Sequence, residues 1–224
     1  MRVLYEDNHL LVVDKPTGIA TMGSDSGPTV YSWAAEYLKH KYNKPGNVFV
    51  GIVSRLDTFT SGVLVLARTS KAASRLSAQF RETTPKKTYL AVLQGQLEGG
   101  EQTWVDWVRK DDAAHRMRCV ADGAAGAQRA ELKLNVVRSW SNRTLVRIQL
   151  LTGRKHQIRV QASSRGHAVW GDRKYEATTR LPQGIALHSH CLEITHPTRR
   201  EAMQFRSDPP EAWKRLGVRD KDLA

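Results

Sequence analysis

Cysteine is almost missing from this chain, with only Cys119 and Cys191 among 224 residues, far apart and in no paired spacing. That argues against a disulfide framework and fits a reducing, cytoplasmic setting. No apolar run approaches the ~20 residues that a membrane span needs. The opening segment, Met1-Arg2-Val3-Leu4-Tyr5-Glu6-Asp7, meets acids too early to have a secretory layout. There is no Gly-x-x-x-x-Gly-Lys-Ser/Thr loop and no dinucleotide fingerprint, so nucleotide cofactors have no support. Repeats, low-complexity tracts and linker-like stretches are also absent. Acidic residues are scarce relative to basic ones: 22 Asp+Glu against 35 Lys+Arg leave a formal charge of +13. A field of that sign concentrates polyanions, and nucleic acid is the leading partner.

A hydrophobic content of 40% is enough for a proper core, and a single domain over residues 1–224 is expected. Residues 2–14 read as a β-hairpin turning at Asp7-Asn8, stopped by Lys15-Pro16-Thr17-Gly18. A flexible loop over 21–28 precedes a helix from about Thr29 to Tyr42, with Val30, Trp33 and Tyr37 on its buried stripe. Ser70 is read as the N-cap of a second helix to about Arg81. Ala73, Leu76 and Phe80 form that helix's inner face, while Lys71, Arg75 and Arg81 stay in water. Strands follow over Thr88–Gln94, Trp104–Val108, Met117–Val120, Ala130–Val137 and Thr144–Leu150, with Trp104 and Trp107 on opposite faces. A helix over about Arg154–Ser164, strands over Ile185–Ile194 and Ala202–Phe205, and a terminal helix after Pro209-Pro210 complete the chain. Strands in antiparallel hairpins with a few helices between them make an α+β fold.

The stretch Arg55-Leu56-Asp57-Thr58-Phe59-Thr60-Ser61-Gly62 lies between two apolar runs, Val50–Val53 and Val63–Ala67. A polar loop on a strand platform is where reactive groups are placed, and Asp57 is the first candidate for chemistry. A second dense stretch, Thr152-Gly153-Arg154-Lys155-His156-Gln157-Ile158-Arg159, gathers cations at a helix start. The helix dipole disfavours cations there, so a bound anion or a buried acid is needed to offset them. In Lys86-Lys87-Thr88-Tyr89, a ring follows two cations that could meet phosphate. His188, His190, Cys191 and His196 resemble metal ligands by type, but alternation along a strand separates them and no zinc spacing fits, so no metal is expected.

Six motifs stand in order: YEDNHLLVVDKPTG at 5–18, RLDTFTSGVLVLA at 55–67, PKKTYLAVLQG at 85–95, LTGRKHQIRVQ at 151–161, GHAVWGDRKY at 166–175 and ALHSHCLEITHP at 186–197. Together they resemble the RluA-type RNA pseudouridine synthases over residues 3–206. The resemblance implies a mixed, mainly antiparallel sheet with flanking helices and a central RNA-binding cleft. It also implies isomerisation of uridine in ribosomal or transfer RNA, without cofactor or metal. By the same resemblance, Asp57 is the catalytic carboxylate, Arg159 the arginine paired with it, and Tyr89 the ring that stacks on uracil. The resemblance also implies that Arg55 fills the gap left by a flipped base, as in at least some relatives, and Lys86, Lys87, Arg154, Lys155, His156 and Arg173 are expected to contact RNA. Ser54 departs from the histidine usual before Arg-Leu-Asp, and by comparison with the family the chain is expected to comprise the catalytic core without the small N-terminal RNA-binding domain of many relatives. A monomer acting on an RNA stem-loop is expected. A base-excising glycosidase, which would need a paired acid, and a non-catalytic RNA-binding module are the alternatives.

Overall fold

The structure, a computed structural model, describes residues 1–23, 27–182 and 184–223, so the middle of the loop expected over 21–28 lies outside the described residues. In chain order the first elements are β1 (Arg2–Glu6), β2 (Leu10–Lys15), α1 (Val30–Lys41), β3 (Gly51–Ile52), β4 (Ser61–Ala67) and α2 (Ser70–Arg81). Next come β5 (Lys86–Gln94), β6 (Glu101–Asp111), β7 (Arg116–Val120), β8 (Gln128–Trp140) and β9 (Arg143–Leu150). α3 (Gln157–Ser164), β10 (Leu187–Thr195) and β11 (Ala202–Arg206) follow, with short 3-10 turns after Asp172 and Pro210. Two compact units divide the chain, Met1–Pro85 with Ser189–Ser207 and Lys86–His188 with Asp208–Ala224.

In the first unit β1 and β2 form the expected antiparallel hairpin. Asp7 makes its turn: Oδ1 accepts from the backbone N–H groups of His9 and Leu10, each at 2.8 Å. The strand order is β1-β2-β4-β10, with β3 paired to β4 and β11 to β10. Leu10 to Val13 and Val63 to Ala67 are all buried. Both faces of β2 and β4 are therefore covered, which is why they read as unbroken apolar runs rather than alternating ones. Leu10, Val12, Val63 and Val65 pack with Leu76 of α2 and with Leu192, Ile194 and Phe205.

Both helices of this unit correct the sequence reading in detail. The buried stripe of α1 is Val30, Ala34 and Leu38. Trp33 and Tyr37 lie half-buried beside it with rings stacked at 5.1 Å. The Tyr37 hydroxyl donates to Glu6 at 2.8 Å, and a ring with such a polar tip belongs at the edge of a core. Thr69, not Ser70, is the N-cap of α2: its backbone is extended and its hydroxyl accepts from Ala72 N–H at 3.2 Å. Arg75 is not left in water, because it donates to Pro197 O at 2.7 Å.

The second unit is an antiparallel sheet in the order β5-β9-β8-β6-β7. Trp104 is buried and Trp107 half-buried, as expected for opposite faces of β6. The third helix starts later than the sequence predicts. His156 takes a left-handed conformation (φ 53°), which stops a helix, so Arg154, Lys155 and His156 form the turn before α3. Arg159 does lie in the first helical turn, and the buried acid beside it is Asp172. The C-terminal helix is a 3-10 segment, Glu211–Leu216, with Pro210 as its N-cap, ended by Gly217 at φ 80°. Its Trp213 and Leu216 pack with Leu90, Val92 and Leu145.

Two residues of the first unit generate tests. Gly62 has φ +111°, and an added Cβ would stand 2.2 Å from Ser189 O. Gly62→Ala is expected to cost about 3 kcal/mol or more, read from urea unfolding. Burial would raise the Asp7 carboxyl, but the N–H groups of His9 and Leu10, the Tyr5 hydroxyl and His196 outweigh it and bring its pKa down to about 2. The free carboxyl titrates near 3.9, so this stabilisation is complete above about pH 4 and is lost as the pH falls through 2. Asp7→Asn should lose about 2 kcal/mol at pH 7 and flatten the acid branch of the stability curve.

Candidate active site

The segment between β3 and β4 is held by the segment that follows β2. Leu56 bonds through both backbone groups to Thr21: its N–H donates to Oγ1 at 3.2 Å, and its carbonyl accepts from the same hydroxyl at 2.9 Å. Asp57 O accepts from Thr60 N–H at 3.0 Å, which closes a turn with Thr58 and Phe59 at its corners. Thr58 O accepts from Gly18 N–H at 2.8 Å and from Lys15 Nζ at 3.1 Å, and Phe59 O from the Thr17 hydroxyl at 2.9 Å. Each carbonyl from Leu56 to Phe59 thus has a donor, and the backbone carrying the Asp57 carboxylate is fixed from behind. Asp57 itself is half-buried and Arg55 is exposed.

Lys15 is the residue that the sequence reading missed. It was taken as part of a strand stop, yet it is fully buried, with Nζ donating to Pro16 O at 2.9 Å, Ile19 O at 2.7 Å and Thr58 O at 3.1 Å. Burial draws its pKa down to about 8, and the Asp57 carboxylate pulls against that. Below pH 8 the site therefore carries an ammonium whose charge acts on Asp57. The available signal was its position: a lysine two places after four apolar residues, in a strand whose neighbours are buried, must find partners, because lysine is almost never fully buried without them.

Asp57 and Arg55 lie in the first unit, and the other candidates lie in the second. Tyr89 is buried on β5, opposite Ile148 of β9. Lys86 is exposed, whereas Lys87 is half-buried and burial lowers its pKa. Lys87 Nζ comes within 3.6 Å of where a Cβ on Gly153 would sit, so Lys87 reaches the 152–159 stretch. Arg159 forms a two-pronged pair with Asp172, Nε to Oδ2 at 2.6 Å and Nη2 to Oδ1 at 2.9 Å. Its guanidinium also covers the Tyr175 ring, 4.9 Å from the centroid. Tyr175 Oη accepts from Met117 N–H at 3.0 Å and lies 2.8 Å from His156 Nδ1. His156 and Arg159 are thereby fixed by one tyrosine. Neither Asp172 nor Tyr175 carried a recognisable role in the sequence.

The turn before α3 is set by Gln157, whose Oε1 accepts from Arg154 N–H at 2.9 Å and from the Thr152 hydroxyl at 2.8 Å. Arg154 is exposed and donates from Nε to Arg129 O at 2.9 Å, and Lys155 and Arg173 are exposed as well. The histidines that resembled metal ligands have other partners. His188 packs edge-on to Trp213, His190 Nδ1 lies 2.8 Å from Ser207 O, and His196 Nε2 lies 2.9 Å from Asp7 Oδ2. His196 Nδ1 accepts from two backbone N–H groups, of Thr198 and Arg199, so its proton sits on Nε2 and is donated to Asp7. Among the described residues, no group of three or more His, Cys, Asp or Glu side chains could hold a metal ion.

Fold and motifs together define an RNA-modifying isomerase. Residues 9–164 match the RNA pseudouridylate synthase family, and the chain belongs to that family. It is 37% identical over 209 residues to the dual-specificity RNA pseudouridine synthase RluA of Haemophilus influenzae, covering 91% of this chain and 90% of that one. It is 33% identical over 215 residues to the uncharacterized RNA pseudouridine synthase YhcT of Bacillus subtilis, covering 96% and 70%. The solved structure of human RNA pseudouridylate synthase domain containing 4 shares the fold with a TM-score of 0.79 at 24% identity, over 96% of this chain and 92% of that one. Human RNA pseudouridylate synthase domain containing 1 gives 0.73 at 26% identity, over 93% and 83%.

Lys15→Met takes the lysine donor from Pro16 O, Ile19 O and Thr58 O, of which Thr58 O keeps Gly18 N–H, and removes the charge that acts on Asp57. It should destabilise the protein by about 2–4 kcal/mol in urea unfolding. In the native protein the folded amine titrates at about 8 and the free amine near 10.4, so the unfolded chain binds the extra proton between those values. Stability from this group therefore rises with pH from about 8 to 10.4, and the rise should be missing in Lys15→Met.

Proposed function

We propose that this enzyme isomerises a specific uridine in a ribosomal or transfer RNA stem-loop, with Asp57 as the catalytic carboxylate. The observation that carries this reading is the Asp57 turn: every carbonyl from Leu56 to Phe59 is bonded, one of them by the fully buried Lys15. A carboxylate on a backbone held in this way is pre-organised. The name of the Vibrio vulnificus relative, a ribosomal large subunit pseudouridine synthase, supports ribosomal RNA, and that of the Haemophilus influenzae relative, a dual-specificity RNA pseudouridine synthase, supports more than one kind of target.

The reaction breaks the bond from uracil N1 to ribose C1′, turns the ring and joins C5 to C1′. The hydrogen on C5 then leaves as a proton and N1 gains one, so no atom is gained or lost. Asp57 serves either as the nucleophile that bonds C1′ while uracil departs or as the base that deprotonates the sugar. A uridine inside a stem must first be flipped out, with Arg55 filling the space it leaves. Tyr89 stacks on the uracil and assists removal of the C5 proton. Arg159 is the guanidinium that partners the catalytic carboxylate, and Asp172 and Tyr175 support that role by fixing the orientation of its plane.

Lys86, Lys87, Arg154, Lys155, His156 and Arg173 contact the RNA, mainly its phosphates. The reaction needs neither cofactor nor metal, and the protein works as a cytoplasmic monomer. The family match runs from residue 9 to 164, through parts of both units, which supports reading 1–224 as one catalytic domain.

Asp57→Asn is expected to abolish pseudouridine formation on unmodified ribosomal and transfer RNA transcripts while leaving RNA affinity within about twofold. Normal turnover by this variant would remove Asp57 from the mechanism. Free uracil among the products would mark a glycosidase, and wild-type protein that binds RNA but yields no pseudouridine would mark a binding module. Pseudouridine mapping in cells lacking the protein identifies the target.

A further inference from the structure

The Asp57 turn also presents a side chain that the reaction above leaves unused. Phe59 is 49% exposed, the most open of the large apolar side chains among the described residues. It lies two residues beyond the catalytic acid, at a corner of the turn closed by Thr60 N–H and Asp57 O. Turn corners favour glycine, proline, asparagine, aspartate or serine, each for a conformational reason, and a phenyl ring supplies none of these. The ring's backbone has little freedom to withdraw. Phe59 O is bonded to the Thr17 hydroxyl, and Thr58 O to Gly18 N–H and Lys15 Nζ. This chain therefore holds a flat apolar surface in water, on a rigid corner, next to the group that acts on RNA.

We propose that Phe59 is a specificity-determining residue that stacks on an unpaired base flanking the target uridine. The proposal rests on Asp57 being the catalytic carboxylate of an RNA enzyme. When a uridine leaves its stack, the faces of the neighbouring bases lose a partner, and an aromatic ring on a fixed corner can replace it. Arg55 is a charged group suited to filling a gap and meeting phosphate. Phe59 offers only a ring face, which every base can use and which is indifferent to salt. Substrates with an unpaired base beside the target would then be preferred over those in which that neighbour stays paired.

The test compares wild type, Phe59→Ala, Phe59→Trp and Arg55→Ala on transcripts of large-subunit ribosomal RNA and of transfer RNA. Pseudouridine formation and equilibrium binding are both measured, over a series of salt concentrations. Phe59→Ala should raise KM and Kd about 10-fold with kcat little changed, and Phe59→Trp should restore both. The slope of log Kd against log salt should be unchanged in Phe59→Ala and reduced by about one in Arg55→Ala. The thermal midpoint of Phe59→Ala should match wild type. Unaltered KM and Kd in Phe59→Ala, or a loss that Phe59→Trp does not reverse, overturns the stacking role. If wild type makes no pseudouridine on any RNA, the catalytic reading fails, whereas the binding comparison still decides whether Phe59 stacks.

Discussion

A buried lysine ammonium bonded to three backbone carbonyls is the constraint on which the Asp57 loop depends. Taking such a charge out of water is costly unless every proton finds an acceptor. Lys15 finds two of its acceptors in its own chain segment, Pro16 O and Ile19 O, and the third at Thr58 in the Asp57 turn. The same group thus fixes the shape of the loop and sets the electrostatic environment of the acid. Either removing the charge or misplacing one of the carbonyls would disturb both at once.

A comparable arrangement in the second unit surrounds Arg159. Its guanidinium is held in plane by Asp172 and from one face by the Tyr175 ring, and Tyr175 also meets His156. Lysine could not replace this arginine, since a compact ammonium cannot make two parallel bonds to one carboxylate. In each unit, then, a named catalytic candidate stands on a buried polar neighbour that is itself held by hydrogen bonds. Such support behind a functional side chain reduces the reorganisation needed when substrate arrives.

Much of the fold could be read from hydrophobic pattern. The hairpin of β1 and β2, the buried β4 and the strands β5 to β9 lie where apolar alternation or unbroken apolar runs placed them. What could not be read were features set by tertiary contacts. The start of α3 depends on the left-handed backbone of His156, a conformation that residues other than glycine adopt rarely and that nothing in the local sequence announces. The α1 stripe was misjudged because large rings were favoured over Ala34, whose small side chain allows close approach. Among site residues, Asp57, Tyr89 and Arg159 stood in motifs, whereas Asp172 is 13 positions from the arginine it binds and nothing local announces the pair. Lys15 was hidden for the same reason, as its third acceptor is 43 residues away.

That separation of 43 residues has a consequence for how activity is acquired during folding. The Asp57 turn is no autonomous hairpin tip, because its outer carbonyls are capped by Thr17, Gly18 and Lys15. Its geometry emerges only after β2 has found β4 across that interval, a long-range closure whose entropy must be met before any reward arrives. The setting of Asp57 is therefore acquired late, and a nascent segment that has yet to reach β4 carries the acid without it.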